Sequence, residues 1–330
     1  MRNAFAKEIT RLAREDDRVV LLSGDIGNRL FDDFKAACPG RFFNCGVAEA
    51  NMIGVAAGLA MSGFRPVCYT ITPFITYRCL EQIRIDVCYH EAPVTIVGTG
   101  SGLSYASLGA THHSCEEMGM LRLLPGLAVM APADSFEVQS CLRAALAHSG
   151  PAYLRIGKKG EPRVHTAAPA YRIGESIVLR EGHDVFFVCA GTLLPVVVAA
   201  AETLAANGVS VGVASMPAVK PLDETLLRRV FGECRLVATV EEHSILGGLG
   251  GAVAEWSSEQ SSPRARLLRF GTADEFLHLT GEQDEARAHF GLTAEAMSAR
   301  VLAMLDPSGT GAPPMRLPKT KPRPLALAPC

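Results

Sequence analysis

Several groups of residues in this sequence could do chemistry. The segment NCGVAEANMIGVAAGLA (44–60) carries one carboxylate, Glu49, in a run otherwise small, apolar or neutral. Gly46 and Gly63 bracket it, and the apolar residues between them fall at helical spacing. A carboxylate there is costly unless something pairs or uses it, although a helix N-terminus also favours negative charge. The loop GATHHSCEEMGM (109–120) sets His112 beside His113 ahead of a helix, a residue type suited to acid–base work near neutrality. Adjacent histidines rarely converge on one metal, and no Cys or His stands at a zinc-ligand spacing, so surface histidines are the plainer reading. VEEHSILGGLGGAVAEW (240–256) brings Glu241, Glu242 and His243 to a strand end, which a capped turn also explains. Tyr69, Phe74 and Tyr77 lie just after a strand, either as core or as a flat platform for a heterocycle.

These residues need elements to position them. Short apolar runs at 18–24, 66–71, 93–100, 127–132 and 151–157 read as strands, with helices near 47–62, 73–90, 115–123 and 134–148. A polar stretch, 158–176, interrupts the pattern. A second series follows, with strands at 184–191, 209–216, 235–242 and 265–271. Helices near 194–207, 222–232, 247–257 and 293–305 alternate with them. Alternation of this kind predicts an α/β fold of two doubly wound domains, each a parallel sheet covered on both faces. The expected domains are 1–157 and 177–306, joined by the linker 158–176 and followed by a Pro-rich tail, 307–330. SGDIGN (23–28) and GGLGG (247–251) fit neither the dinucleotide fingerprint nor the P-loop, and both read as strand-to-helix turns.

Composition narrows the function. The chain has 330 residues, 48% hydrophobic and 20% charged, with a net charge of -2, which gives no bias toward nucleic acid. No apolar run approaches the roughly 18 residues that span a bilayer. MRNAFAKEITRLAREDD reads as an amphipathic helix with Phe5, Ile9 and Leu12 on one face, without a signal-peptide core. Ten dispersed cysteines never form CxxC, which suits thiols in a reducing cytoplasm.

In this order, FFNCGVAEANMIGVAAGLAMSGFRPV, LEQIRIDVCY, GATHH, LRLLPGLAVMAPAD, GPAYLRIG, KPLD and VEEHSILGGLGGAVAE resemble the C-terminal half of transketolase. That half is a pyrimidine-binding domain followed by the transketolase C-terminal domain, and the resemblance runs from Arg2 to about residue 305. It implies thiamine diphosphate as cofactor. Glu49 then matches the carboxylate that bonds the 1′ nitrogen of the aminopyrimidine, favouring its imino tautomer and so removal of the thiazolium proton. Phe74 matches one aromatic of the platform under the ring. Ile71 stands where a second is expected, and Tyr77 where another pocket aromatic occurs. His112 matches the histidine facing the hydroxyl and carbonyl end of the substrate. Arg2 and Arg155 match arginines that bind a sugar-phosphate terminus, and Asp25 is placed with them on the substrate side. The family Asp of the His112 loop is Leu108 here, which accepts no hydrogen bond.

The resemblance also implies a missing half. The diphosphate and Mg²⁺ need a GDG motif and a following Asn, and in SGDIGN Ile26 replaces the second Gly. The expectation is therefore an N-terminal transketolase subunit that holds diphosphate and metal, in an α2β2 assembly, with no metal ligand on this chain. Ketol transfer from a ketose phosphate to an aldose is the reaction implied. Acyloin formation, 2-oxoacid decarboxylation and a non-catalytic scaffold are the alternatives.

Overall fold

The computed structural model describes residues 1–27, 29–158, 160–261, 264–278 and 281–305. Asn28 of SGDIGN, Lys159 and the tail expected over 307–330 lie outside the described residues. Apolar runs with no polar alternation form strands buried on both faces, as parallel sheets under helices require. β1 (Val19–Ser23), β2 (Phe42–Asn44), β3 (Arg65–Ile71), β4 (Thr95–Thr99), β5 (Ala128–Met130) and β6 (Ala152–Ile156) belong to the first sheet. β7 (Ile177–Arg180), β8 (Val185–Ala190), β9 (Val211–Ser215), β11 (Leu236–Ser244) and β12 (Arg266–Thr272) form the second. Between β9 and β11 the chain returns to the first sheet as β10 (Ala218–Lys220), antiparallel to β5.

The first sheet runs β10-β5-β6-β4-β3-β1-β2, and its strands other than β10 are parallel. The second runs β12-β11-β8-β9-β7, with only β7 antiparallel. The carboxyl ends of β1, β3, β4 and β6 therefore share one edge, where ligands of such sheets bind. No helix among the described residues is long and apolar enough to cross a membrane.

One apolar cluster joins the two domains. It runs from Met52 and Ile53 under the first sheet through Val129 and Met216 to Val188 and Leu249 in the second. A second cluster packs the helix Arg2–Glu15, through Phe5 and Ile9, against the opposite face of the first sheet, as its apolar face predicts. Lys220 of the KPLD stretch sends its ammonium to the carbonyls of Arg122 and Leu124, at the end of a first-domain helix.

The structure departs from the sequence reading in its short elements. β2, β7 and β10 lie at or next to sheet edges and are three or four residues long, too short to show a period. The helix expected over 73–90 is broken into Thr72–Thr76, Leu80–Gln82 and a wider-turned segment, Ile83–Tyr89. The break follows Phe74 and carries Arg78 back toward the helix Glu49–Met61.

Candidate active site

Glu49 is the first residue of the helix Glu49–Met61 and is only 3% exposed. The backbone N–H groups of that first turn and the helix dipole favour its negative charge. Its partner is a residue the sequence reading missed. Arg78 Nη1 donates to Glu49 Oε2 at 3.0 Å, while the Arg78 guanidinium carbon lies 4.8 Å from the centre of the Phe74 ring. Phe74 and Arg78 stand four residues apart, one turn on a helix, and that spacing was the available signal. A flat cation thus rests on an aromatic face and donates to a buried carboxylate.

From Phe74 the contacts continue. The His112 ring meets Phe74 edge-on at 5.2 Å and Tyr105 at 5.8 Å, and Lys158 Nζ lies 4.7 Å from the Tyr105 ring centre. Glu49, Arg78, Phe74, His112, Tyr105 and Lys158 therefore form one continuous chain of contacts. Burial, and then the neighbouring His113, lowers the His112 imidazole below its ordinary 6.5, so it is neutral at pH 7. Thr111 Oγ1 lies 2.9 Å from His112 Nδ1, and His113 Nε2 is 3.2 Å from the Ala106 carbonyl. Leu108, at the tip of the same loop, is 52% exposed.

The other expected residues flank this chain. Ile71 ends β3 and caps the short helix that carries Phe74. Tyr77 donates its hydroxyl to Glu116 at 2.5 Å; burial, then Glu117 and Glu116, raises the phenol's pKa and keeps it a neutral donor. Arg2 Nε donates to the Tyr69 hydroxyl at 3.0 Å. Asp25 lies just past β1, exposed and in a left-handed conformation (φ 56°), and accepts from Asn44 Nδ2 at 2.9 Å.

Arg155, expected at a sugar-phosphate terminus, has its guanidinium engaged within the chain. It sits inside β6, 4% exposed, with Nε on Glu117 Oε1 at 2.5 Å and Nη2 on the carbonyls of Ser114 and Glu242 at 2.7 and 2.9 Å. A guanidinium so engaged ties the two domains together. Arg155 is the fourth of the five residues of β6, whereas Lys158 lies beyond the strand's carboxyl end, toward the edge where ligands of such sheets bind. Tyr105 and Lys158 were not singled out from sequence, because a lone aromatic or lysine in a polar loop carries no spacing signal.

Comparison with known proteins matches these parts. Residues 1–161 match the transketolase pyrimidine-binding domain and residues 174–297 the transketolase C-terminal domain. A putative transketolase C-terminal section from Methanocaldococcus jannaschii is 33% identical over 305 residues, covering 92% of this chain and 95% of that protein. A 1-deoxy-D-xylulose-5-phosphate synthase from Geobacter sulfurreducens is 37% identical over 302 residues, covering 90% of this chain and 48% of that protein. A solved split-gene transketolase, an inactive β4 tetramer, superposes with a TM-score of 0.83 at 35% identity, covering 92% of this chain and 97% of that one. The chain therefore belongs to the transketolase family and corresponds to the C-terminal portion of a split transketolase.

Proposed function

We propose that this chain is the C-terminal subunit of a split transketolase dependent on thiamine diphosphate. In this reading it moves a two-carbon ketol unit from a ketose phosphate to an aldose once a partner chain is bound. The observation that carries the reading is the Glu49–Arg78–Phe74 arrangement. An aminopyrimidine protonated on its ring nitrogen asks for a flat apolar face and an anionic acceptor in the ring plane. The Arg78 guanidinium, itself flat and cationic, is held by that combination, so the residues present fit the group.

The chemistry supplied by bound thiamine diphosphate is a carbon nucleophile for the ketose carbonyl. Glu49 has the role of holding a proton at the 1′ nitrogen. Phe74 and Ile71 form the face beneath the ring, with Tyr77 beside them. Neutral His112 can donate to, or accept from, the hydroxyl and carbonyl end of the sugar. Lys158 and Arg2 are the cations proposed for an anionic terminus, Lys158 because it lies over Tyr105, which meets His112, and Arg2 because it reaches the Tyr69 hydroxyl while Arg155 is engaged within the chain. Asp25 and Asn44 offer polar groups at the same edge. Diphosphate and Mg²⁺ are assigned to the N-terminal partner, in an α2β2 assembly. The exposed Val47 (79%) and Tyr89 (78%), with Phe43, Val55 and Ile85, give this side of the domain an apolar surface for a partner to cover.

A second reading, an acyloin-forming enzyme acting on a 2-oxoacid, is favoured by the identity to a deoxyxylulose-phosphate synthase and by Leu108 in place of a polar residue. Reconstitution separates the two. Purified with an N-terminal partner, thiamine diphosphate and Mg²⁺, the complex should cleave xylulose 5-phosphate and transfer its ketol unit, and neither chain alone should do so. A cofactor-loaded complex that turns over pyruvate and leaves xylulose 5-phosphate intact would establish the second reading instead.

A further inference from the structure

The stretch VEEHS at the end of β11 has no part in the chemistry above, yet its residues are almost wholly buried. Glu241, Glu242 and His243 are at most 1% exposed. Glu241 accepts from the Leu249 and Gly250 backbone N–H groups at 2.7 Å each and so caps the helix Leu249–Ser258. The other residues reach into the first domain. Glu242 Oε1 accepts from the Leu103 backbone N–H at 2.8 Å. His243 Nε2 accepts from Gly119 N–H at 3.2 Å, which leaves the ring proton on Nδ1, 2.8 Å from the Ser244 carbonyl. Ser244 N–H donates to the Cys115 carbonyl at 2.6 Å.

These contacts fall on both sides of the loop that carries His112. Leu103 precedes it; Cys115 and Gly119 follow it. The loop is closed at its base by reciprocal backbone bonds between Gly102 and Ser114, at 3.1 and 3.0 Å. Gly102 lies at φ 60°, and a Cβ there would come within 2.5 Å of Glu242 Oε1, so only glycine lets the carboxylate approach the loop this closely. Glu242 is fixed from its other side. Gln283 Nε2 donates to both carboxylate oxygens at 2.8 and 3.1 Å, and Arg287 Nε pairs with Oε2. Arg287 in turn donates to Thr192 Oγ1 at 3.1 Å, at the carboxyl end of β8. Arg155 bonds the Ser114 and Glu242 carbonyls and completes the base from beneath.

We infer that the C-terminal domain acts on the reaction as the clamp of the His112 loop, with Glu242 as its central positioning residue and Gln283 and Arg287 behind it. The inference rests on the reading of His112 as a substrate-facing residue. A loop of this length held only by its own base would sample many placements. Three fixed points from a second domain restrict His112 to the position in which it meets Phe74 and Tyr105. The C-terminal domain touches no cofactor-facing residue in this account, so the expected effect falls on the substrate end and leaves cofactor affinity alone.

The test uses the complex with its partner subunit, comparing wild type with Glu242→Gln and with the milder Gln283→Ala. Amide hydrogen exchange should accelerate by about tenfold over 103–114, the loss of roughly one hydrogen bond. Exchange over Glu49–Met61 should stay unchanged. KM for the ketose phosphate should rise while the affinity for thiamine diphosphate stays as in wild type. Unchanged exchange in the loop, or acceleration spread evenly over both domains, would overturn the clamp, as would a loosened loop with unaltered KM. Should Glu242→Gln fail to fold, Gln283→Ala and Arg287→Lys decide by the same criteria. A wild-type complex without ketol transfer would sink the functional reading, and the exchange result alone would then decide the clamp.

Discussion

At the carboxyl edge of the first sheet, functional groups are left partly open. Arg78 is half-exposed, Leu108 and Asp25 face solvent, and Glu49 is paired with a side chain rather than with backbone. At the same edge of the second sheet, Glu241, Glu242 and His243 are buried and turned onto backbone N–H groups of the chain itself. The architecture is the same and the partners of the polar groups differ. In the proposed reading one edge keeps its polar capacity for a molecule from outside, while the other uses it to hold a helix and a loop. A buried acidic side chain in such a fold is therefore informative only once its acceptor capacity has been accounted for.

Substitutions should separate the edges sharply. Glu49→Gln in the reconstituted complex should lower ketol transfer by about 10²–10⁴-fold, the range for a positioned acid–base group, without affecting assembly. Retention of most activity would remove Glu49 from the chemistry. Arg155→Met should do the reverse. It leaves Glu117 buried without its charge partner and should cost about 3–5 kcal/mol in urea unfolding. A loss under about 1 kcal/mol would mean the pair behaves as a surface one.

The braced edge also has a pH signature. Burial, opposed by the Gly250 and Leu249 N–H groups, raises Glu241 from 4.5 to about 7. Between those values the folded chain keeps a proton the unfolded chain has released, so this group weakens the fold as pH rises through that window. Burial, with the Arg155 charge, lowers His243 from 6.5 to about 3. Its contribution is fully present above 6.5 and is lost as pH falls toward 3. The two slopes oppose each other from 4.5 to 6.5. Glu241→Gln should expose the histidine's slope, a gain over wild type of about 1.4 kcal/mol per pH unit as pH rises across that interval. Parallel stability curves for wild type and variant would contradict it. The smallest effect is expected at Lys158. Lys158→Met should raise KM for a phosphorylated substrate about tenfold, as for one charged hydrogen bond, with an unchanged unfolding midpoint. An unchanged KM would leave Arg2 as the anion contact.

Much of this was legible in the sequence. The alternation of apolar runs and helical segments carries both domains, because buried parallel strands need unbroken apolar runs. Glu49 stood out because a lone carboxylate in an apolar helix has a cost that demands a reason. The internal partners of Arg155 were not legible, because a strand's sequence does not say whether a side chain faces the ligand edge or a neighbouring domain. Only the meeting of Glu117, Ser114 and Glu242 around it reveals that. β10 was invisible for a related reason: its three residues are a strand only because β5, in the other domain, pairs with them. Arg78 could have been found from its spacing to Phe74, but its role depends on a carboxylate 29 residues away.

The central claim is that Glu49 and Phe74 receive the aminopyrimidine where Arg78 now rests. A structure of the complex with its partner and thiamine diphosphate tests this directly. The ring's 1′ nitrogen should lie within about 2.6–3.2 Å of the Glu49 carboxylate, with Arg78 moved off the Phe74 ring. Arg78 still bridging Glu49 and Phe74 while the cofactor sits elsewhere would contradict it.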